Sequence, residues 1–146
     1  METIHSFTID HDEHGEGFYL SATYGDVITY DLRFVYPNSG NYLPSPVMHT
    51  IEHLFATVVR NSSLSDKVIY FGPMGCRTGF YLLLRDVEYK TALALTKECI
   101  KTCLTLSVIP GAEKKQCGNY LEHDLPGAKT ALQNYLTILE KIDLNG

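Results

Sequence analysis

Tryptophan is missing from these 146 residues, an absence that excludes little by itself. The lack of any basic run excludes more. With 12 Lys and Arg against 17 Asp and Glu the formal net charge is −5, which argues against a nucleic-acid partner. No window approaches the roughly 20 continuous apolar residues that a membrane-spanning helix needs. The opening Met1-Glu2-Thr3-Ile4-His5 is polar and mixed, without the charged-then-apolar layout of a signal peptide, so the expected compartment is the cytoplasm. Repeats, low-complexity tracts and linkers are also absent. Residues 1–146 are therefore expected to form a single domain, and 45% hydrophobic content is enough for a real core.

Cysteine is scarce: Cys76, Cys99, Cys103 and Cys117. In a reducing cytoplasm these are expected as thiols, metal ligands or core residues rather than disulfides. Cys99 and Cys103 lie four apart in a helical pattern with Leu95, Ile100 and Leu104, and read as small core hydrophobes. Cys76 and Cys117 differ, because each sits in a glycine-containing, turn-like setting.

From Asp26 to Tyr36 the chain alternates. Ile28, Tyr30, Leu32, Phe34 and Tyr36 face one way, Thr29, Asp31 and Arg33 the other, which is a half-buried strand of period two. Phe18 to Tyr24 is its expected hairpin partner, with Gly25-Asp26 near the turn. Pro37 through Pro46 is a loop. Val68–Phe71 and Phe80–Leu84 read as two further strands around a glycine-rich segment. Helices are expected from Asp86 to about Leu106 and from Pro126 to Ile142, the latter capped by Asp124. The fold class is α+β: an antiparallel sheet with helices packed on one face, a two-layer sandwich.

Between the two strand pairs lies His49-Thr50-Ile51-Glu52-His53. At about 100° per residue, His49 and His53 stand one turn apart on the same helix face and can grip one metal ion. Glu52 flanks the pair, placed to move protons beside the metal. Val47, Ile51, Leu54, Phe55 and Val58 gather on roughly the opposite side, as the stripe that packs into the core. Ser45 is the expected N-cap and Pro46 suits the first helical position.

Two histidines need at least one more protein ligand, and Cys117, in Gln116-Cys117-Gly118, is the candidate. A thiolate binds zinc or ferrous iron well, and His₂Cys leaves one tetrahedral position open. Cys76 lies among Gly72, Gly75 and Gly79 with Arg77 beside it, surroundings that favour an exposed, reactive thiolate. Two other readings stand at this point. Cys76 as fourth ligand would close the site and make a zinc-stabilised interaction module. The His-x-x-Glu-His order also occurs in metallopeptidases, where Glu52 would activate a metal-bound water.

His49-Thr50-Ile51-Glu52-His53-Leu54-Phe55, Pro73-Met74-Gly75-Cys76-Arg77-Thr78-Gly79-Phe80-Tyr81 and Gln116-Cys117-Gly118 closely resemble the S-ribosylhomocysteine lyase (LuxS) family. Ser6-Phe7-Thr8-Ile9-Asp10-His11, Asp31-Leu32-Arg33-Phe34 and Pro37-Asn38 match as well, so the likeness spans nearly the whole chain. It implies cleavage of S-ribosylhomocysteine to homocysteine and 4,5-dihydroxy-2,3-pentanedione, the autoinducer 2 precursor. It further implies a homodimer with sites at the subunit interface and one divalent metal per subunit, Fe²⁺ with Zn²⁺ or Co²⁺ as substitutes. Carried over by motif, His49, His53 and Cys117 are the metal ligands, Cys76 and Glu52 the acid/base pair, and Ser6, His11 and Arg33 substrate contacts.

The residue types suit that chemistry. Moving a sugar carbonyl along the carbon chain means removing protons next to carbonyls, which calls for separate proton carriers at separate carbons. Cys76 suits the first shifts, and Glu52 the later abstraction that expels homocysteine by β-elimination. Apart from the resemblance, an arginine on a strand's polar face is ordinarily solvated, and His5, His14 and His123 read as surface histidines. Before the Cys76 block, Tyr70 and Gly72 depart from the acidic residue and hydroxyl common in the family.

Overall fold

The alternating segments pair as expected. In the computed structural model, which describes residues 15–113, 115, 118 and 121–142, β1 (Gly17–Tyr24) and β2 (Val27–Arg33) form an antiparallel hairpin. It turns at Gly25-Asp26, where Gly25 takes a φ of 58° that side chains resist. β3 (Val68–Pro73) and β4 (Gly79–Arg85) form a second hairpin, and β4 pairs with β2 to join the two. The result is a four-stranded antiparallel sheet of order β1-β2-β4-β3. Gly79 stands opposite Arg33 in that register, and a Cβ there would run into the Leu32 carbonyl oxygen. Glycine is what lets the loop before β4 close onto the end of β2.

Among the described residues three helices pack against the sheet: α1 (Ser45–Arg60), α2 (Tyr89–Thr105) and α3 (Leu125–Glu140). Period two turns Phe18, Tyr30, Leu32, Phe80, Leu82 and Leu84 inward, and period 3.6 turns Ile51, Leu54 and Phe55 of α1 to meet them. Leu93, Ile100 and Cys103 of α2 and Leu132, Tyr135 and Leu139 of α3 complete one core. The α+β class with helices over the sheet is therefore observed. Among the described residues no helix is long and apolar enough to cross a membrane.

Local boundaries differ from expectation in several places: β2 stops at Arg33, and Tyr36, placed on its inward face, is exposed. Ser45 is already helical; Pro44 precedes α1 as its cap and gives no side-chain hydrogen bond, so Pro46 falls one position later than expected. The apolar stripe of α1 ends on Val59, fully buried, with Val58 only partly covered. α2 starts at Tyr89 rather than Asp86. The φ of 53° at Asp86 is incompatible with a helix, and its N–H donates to the Asp26 carbonyl at 2.6 Å, tying the strand end to the β1–β2 turn. Asp124 caps α3 as expected, its Oδ1 accepting from the Gly127 N–H at 2.9 Å.

Candidate metal centre

α1 projects His49 and His53 from the side away from Ile51 and Phe55, with ring centroids 4.8 Å apart. The segments flanking α3 and following α2 fix both rings. Nδ1 of His49 lies 2.7 Å from the Glu122 carbonyl, and Nδ1 of His53 lies 2.8 Å from the Pro110 carbonyl. A carbonyl only accepts, so each imidazole donates from Nδ1 and keeps its lone pair on Nε2. That is the usual way a protein prepares a metal-ligating histidine.

A third ring joins them. The hydroxyl of Thr50 donates to the Pro46 carbonyl at 2.9 Å, so toward Nδ1 of His123 at 3.0 Å and the Asp124 N–H at 2.8 Å it accepts. His123 is thereby also held with its proton on Nδ1. Its Nε2 is buried and has no hydrogen-bond partner among the described residues. The ring stacks on His49 at 4.1 Å. Burial first, then the neighbouring His49 and His53, push its pKa down, which favours the neutral form a ligand requires.

One ring nitrogen each from His49, His53 and His123 lie within 4.8 Å of one another. A tetrahedral set at 2.0–2.1 Å bond lengths has edges of roughly 3.4 Å, so small ring rotations bring these donors onto one cation. Three neutral nitrogens with fixed tautomers suit a divalent transition metal. His123, expected at the surface, is thus corrected to a member of the cluster. No spacing signal marked it, because it lies 73 residues from Thr50 and only the docking of α3 beside α1 brings them together. Cys117, Ser6 and His11 lie outside the described residues.

Glu52 shares a cavity of about 240 Å³ with Met48 and His49 from α1 and with Pro73, Met74 and Arg77 from the β3–β4 connection. The sequence block around Cys76 therefore borders the same space as the histidine helix. A roomier groove of about 660 Å³ between α1 and α2 is lined by apolar groups such as Val58, Leu95 and Leu106, with Glu98 and Cys99 as its titratable members. It lacks convergent proton carriers among the described residues, whereas the smaller cavity has both His49 and Glu52 in its wall.

Cys76 is exposed, in a loop held at both ends. Met74 N–H donates to the Gly79 carbonyl and Arg77 N–H to the Met74 carbonyl, at 2.9 and 3.0 Å. The Thr78 carbonyl accepts from the N–H groups of Phe34 and Val35 at 2.9 and 3.2 Å. Arg77 takes a φ of 61° and sets its guanidinium 5.5 Å from the Tyr42 ring centroid. Arg33, on the strand face where solvation is the ordinary expectation, is only 2% exposed. It donates to Thr78 Oγ1 at 3.1 Å and to Asp31 Oδ2 at 3.4 Å. Thr78 Oγ1 in turn lies 3.0 Å from the Cys76 sulfur. Cys99 and Cys103 are buried in the core as expected, and burial pushes their thiols up to about 11 and about 12.

Residues 4–144 match the family model described as S-Ribosylhomocysteinase (LuxS). The chain is 44% identical to an S-ribosylhomocysteine lyase of Borreliella burgdorferi (strain ZS7), covering 97% of this chain and 95% of that protein. It is 46% identical to one of Clostridium beijerinckii, over 93% and 90% of the two chains. It is 42% identical to one of Porphyromonas gingivalis, again over 93% and 90%.

Proposed function

The chain belongs to the S-ribosylhomocysteinase (LuxS) family, and from this premise we propose that it cleaves S-ribosylhomocysteine to homocysteine and 4,5-dihydroxy-2,3-pentanedione. It is a lyase enzyme, and residues 1–146 act as one catalytic domain. The observation that carries the assignment to this site is the convergence of His49 and His53 with tautomers set by carbonyls, beside a cavity that also holds Glu52.

The residues divide the work by chemistry. His49, His53 and Cys117 hold one divalent metal, with Fe²⁺ the native ion and Zn²⁺ or Co²⁺ able to replace it. When bound, that ion supplies Lewis acidity toward the sugar oxygens. Cys76 takes and returns the protons that shift the carbonyl along the chain. Glu52 removes the proton whose loss expels homocysteine. Ser6, His11 and Arg33 hold the substrate. Two copies of the chain form a homodimer with the sites at their interface, and the enzyme works in the cytoplasm.

Incubating anaerobically purified, iron-loaded protein with S-ribosylhomocysteine should release free thiol. A protein that keeps its metal and releases none overturns the reading. Peptide cleavage that survives Cys76→Ala would instead favour a metallopeptidase. A second ligand set is favoured by Nε2 of His123, buried and without a hydrogen-bond partner among the described residues: three nitrogens in place of two nitrogens and a sulfur. Cobalt-loaded protein should show a thiolate charge-transfer band that Cys117→Ala removes. A loaded protein without that band, losing its ion in His123→Ala, would establish the all-nitrogen set.

A further inference from the structure

We propose that Thr78 is a positioning residue for Cys76, linking the buried Arg33 charge to the reactive sulfur; the inference rests on the lyase reading for its consequence in turnover. A guanidinium only donates, so the bond from Arg33 Nη1 at 3.1 Å leaves Thr78 Oγ1 as acceptor and its hydrogen free to be given elsewhere. Two acceptors lie in reach. The Met74 sulfur is 3.9 Å away and the Cys76 sulfur 3.0 Å. The nearer wins, and a deprotonated sulfur is also the better acceptor. With Cys76 as the thiolate that the lyase reading requires, the polarity of the chain is Arg33 to Thr78 to Cys76, each group donating to the next.

The placement of Thr78 suits this role. Its side chain is buried, with the residue 2% exposed, so water does not compete for the hydroxyl. Its carbonyl is clamped by Phe34 and Val35, which fixes the backbone at the end of β2. Arg33 is fixed by the same strand, opposite Gly79, which lets the loop approach closely. Arg33 reaches the thiol through Thr78, so a substitution that removes only the hydroxyl severs the link while the charge stays in place.

The test compares Thr78→Val, which keeps shape and loses the hydroxyl, with Thr78→Ser, which keeps it. The first readout is independent of turnover: the rate of iodoacetamide alkylation at Cys76, followed by peptide mass spectrometry at one fixed neutral pH. Loss of a hydrogen bond to a charged acceptor corresponds to a fall of about tenfold or more. Thr78→Val should alkylate about tenfold more slowly, with kcat falling alongside and KM little changed. Thr78→Ser should restore both. If Thr78→Val does not fold, Thr78→Ala against Thr78→Ser gives the same contrast. Alkylation at the parental rate in the hydroxyl-free variant, or a serine variant as slow as it, overturns the proposal. Should no lyase activity exist at all, the alkylation contrast still decides the role of Thr78.

Discussion

Three imidazoles cluster beside α1, a thiol stands on the β3–β4 loop whose Pro73, Met74 and Arg77 line the neighbouring cavity, and the two are held by different means. Neutral acceptors position the histidines: carbonyls of Glu122 and Pro110 and the hydroxyl of Thr50. The thiol leans on Thr78 and, behind it, on a guanidinium and carboxylate at 2% and 4% side-chain exposure. Neutral acceptors set a tautomer without introducing charge, which leaves the cluster free to take up a cation. A buried ion pair does the reverse, because each charge has lost its water and depends on the other. The histidine cluster is therefore held by neutral acceptors alone, and the thiol by a hydroxyl with a buried ion pair behind it.

The largest expected effect separates the two outright. His49→Ala or His53→Ala should abolish stoichiometric metal, measured by elemental analysis, because each removes a prepared nitrogen from a site with few donors. Cys76→Ala should retain its metal and lose about 10²–10⁴-fold in turnover, the usual worth of a proton carrier. Metal loss in Cys76→Ala would break the comparison, placing the thiol among the metal ligands.

The next effect concerns stability. Arg33→Met leaves the Asp31 carboxylate in the same buried place without its guanidinium. Removing one partner of a buried pair costs about 3–5 kcal/mol, read as a lower urea midpoint. Replacing both, as Arg33→Met with Asp31→Leu, should recover part of that loss. If the double variant is no more stable than the single, the charge at Asp31 is not what destabilises it.

Much of this was legible in the sequence, and the reason is periodicity. Alternation from Ile28 to Phe34 and the helical spacing of Ile51, Leu54 and Phe55 are local signals, and strands, helices and the histidine pair followed from them. Asp124 announced α3 because capping is local as well. Two features were not local. His123 stands in a connection with no period, and it joins the cluster through Thr50, whose hydroxyl is claimed by an intrahelical bond. Arg33 sits on a strand face that reads as polar, and its burial depends on how the β3–β4 loop folds over the end of β2. The departures at Tyr70 and Gly72 prove to be one change rather than two. The Tyr70 phenol lies where a side chain at position 72 would begin, so with glycine at the second position the aromatic at the first can fold back over it.

The smallest expected effect sharpens the contrast within one residue type. Burial pushes Cys99 up to about 11 and Cys103 up to about 12 from the ordinary 9.0, with Glu98 and Cys99 respectively adding to it. Both stay protonated in the fold, while the unfolded chain ionises them near the ordinary value. Above that pH the unfolded state binds fewer protons, so stability falls as pH rises. The thiols' stabilising contribution is complete below about pH 9 and is lost through a window ending near 12. Unfolding free energies from urea titrations at about pH 8 and about pH 10 should differ by roughly 2–3 kcal/mol, and Cys99→Ala with Cys103→Ala should narrow that difference. At neutral pH the same burial protects both thiols from iodoacetamide until the protein unfolds, whereas Cys76, exposed and hydrogen-bonded to Thr78, reacts in the native state. Equal labelling of all three in the folded protein would erase the distinction between a core that shields its thiols and a loop that exposes one.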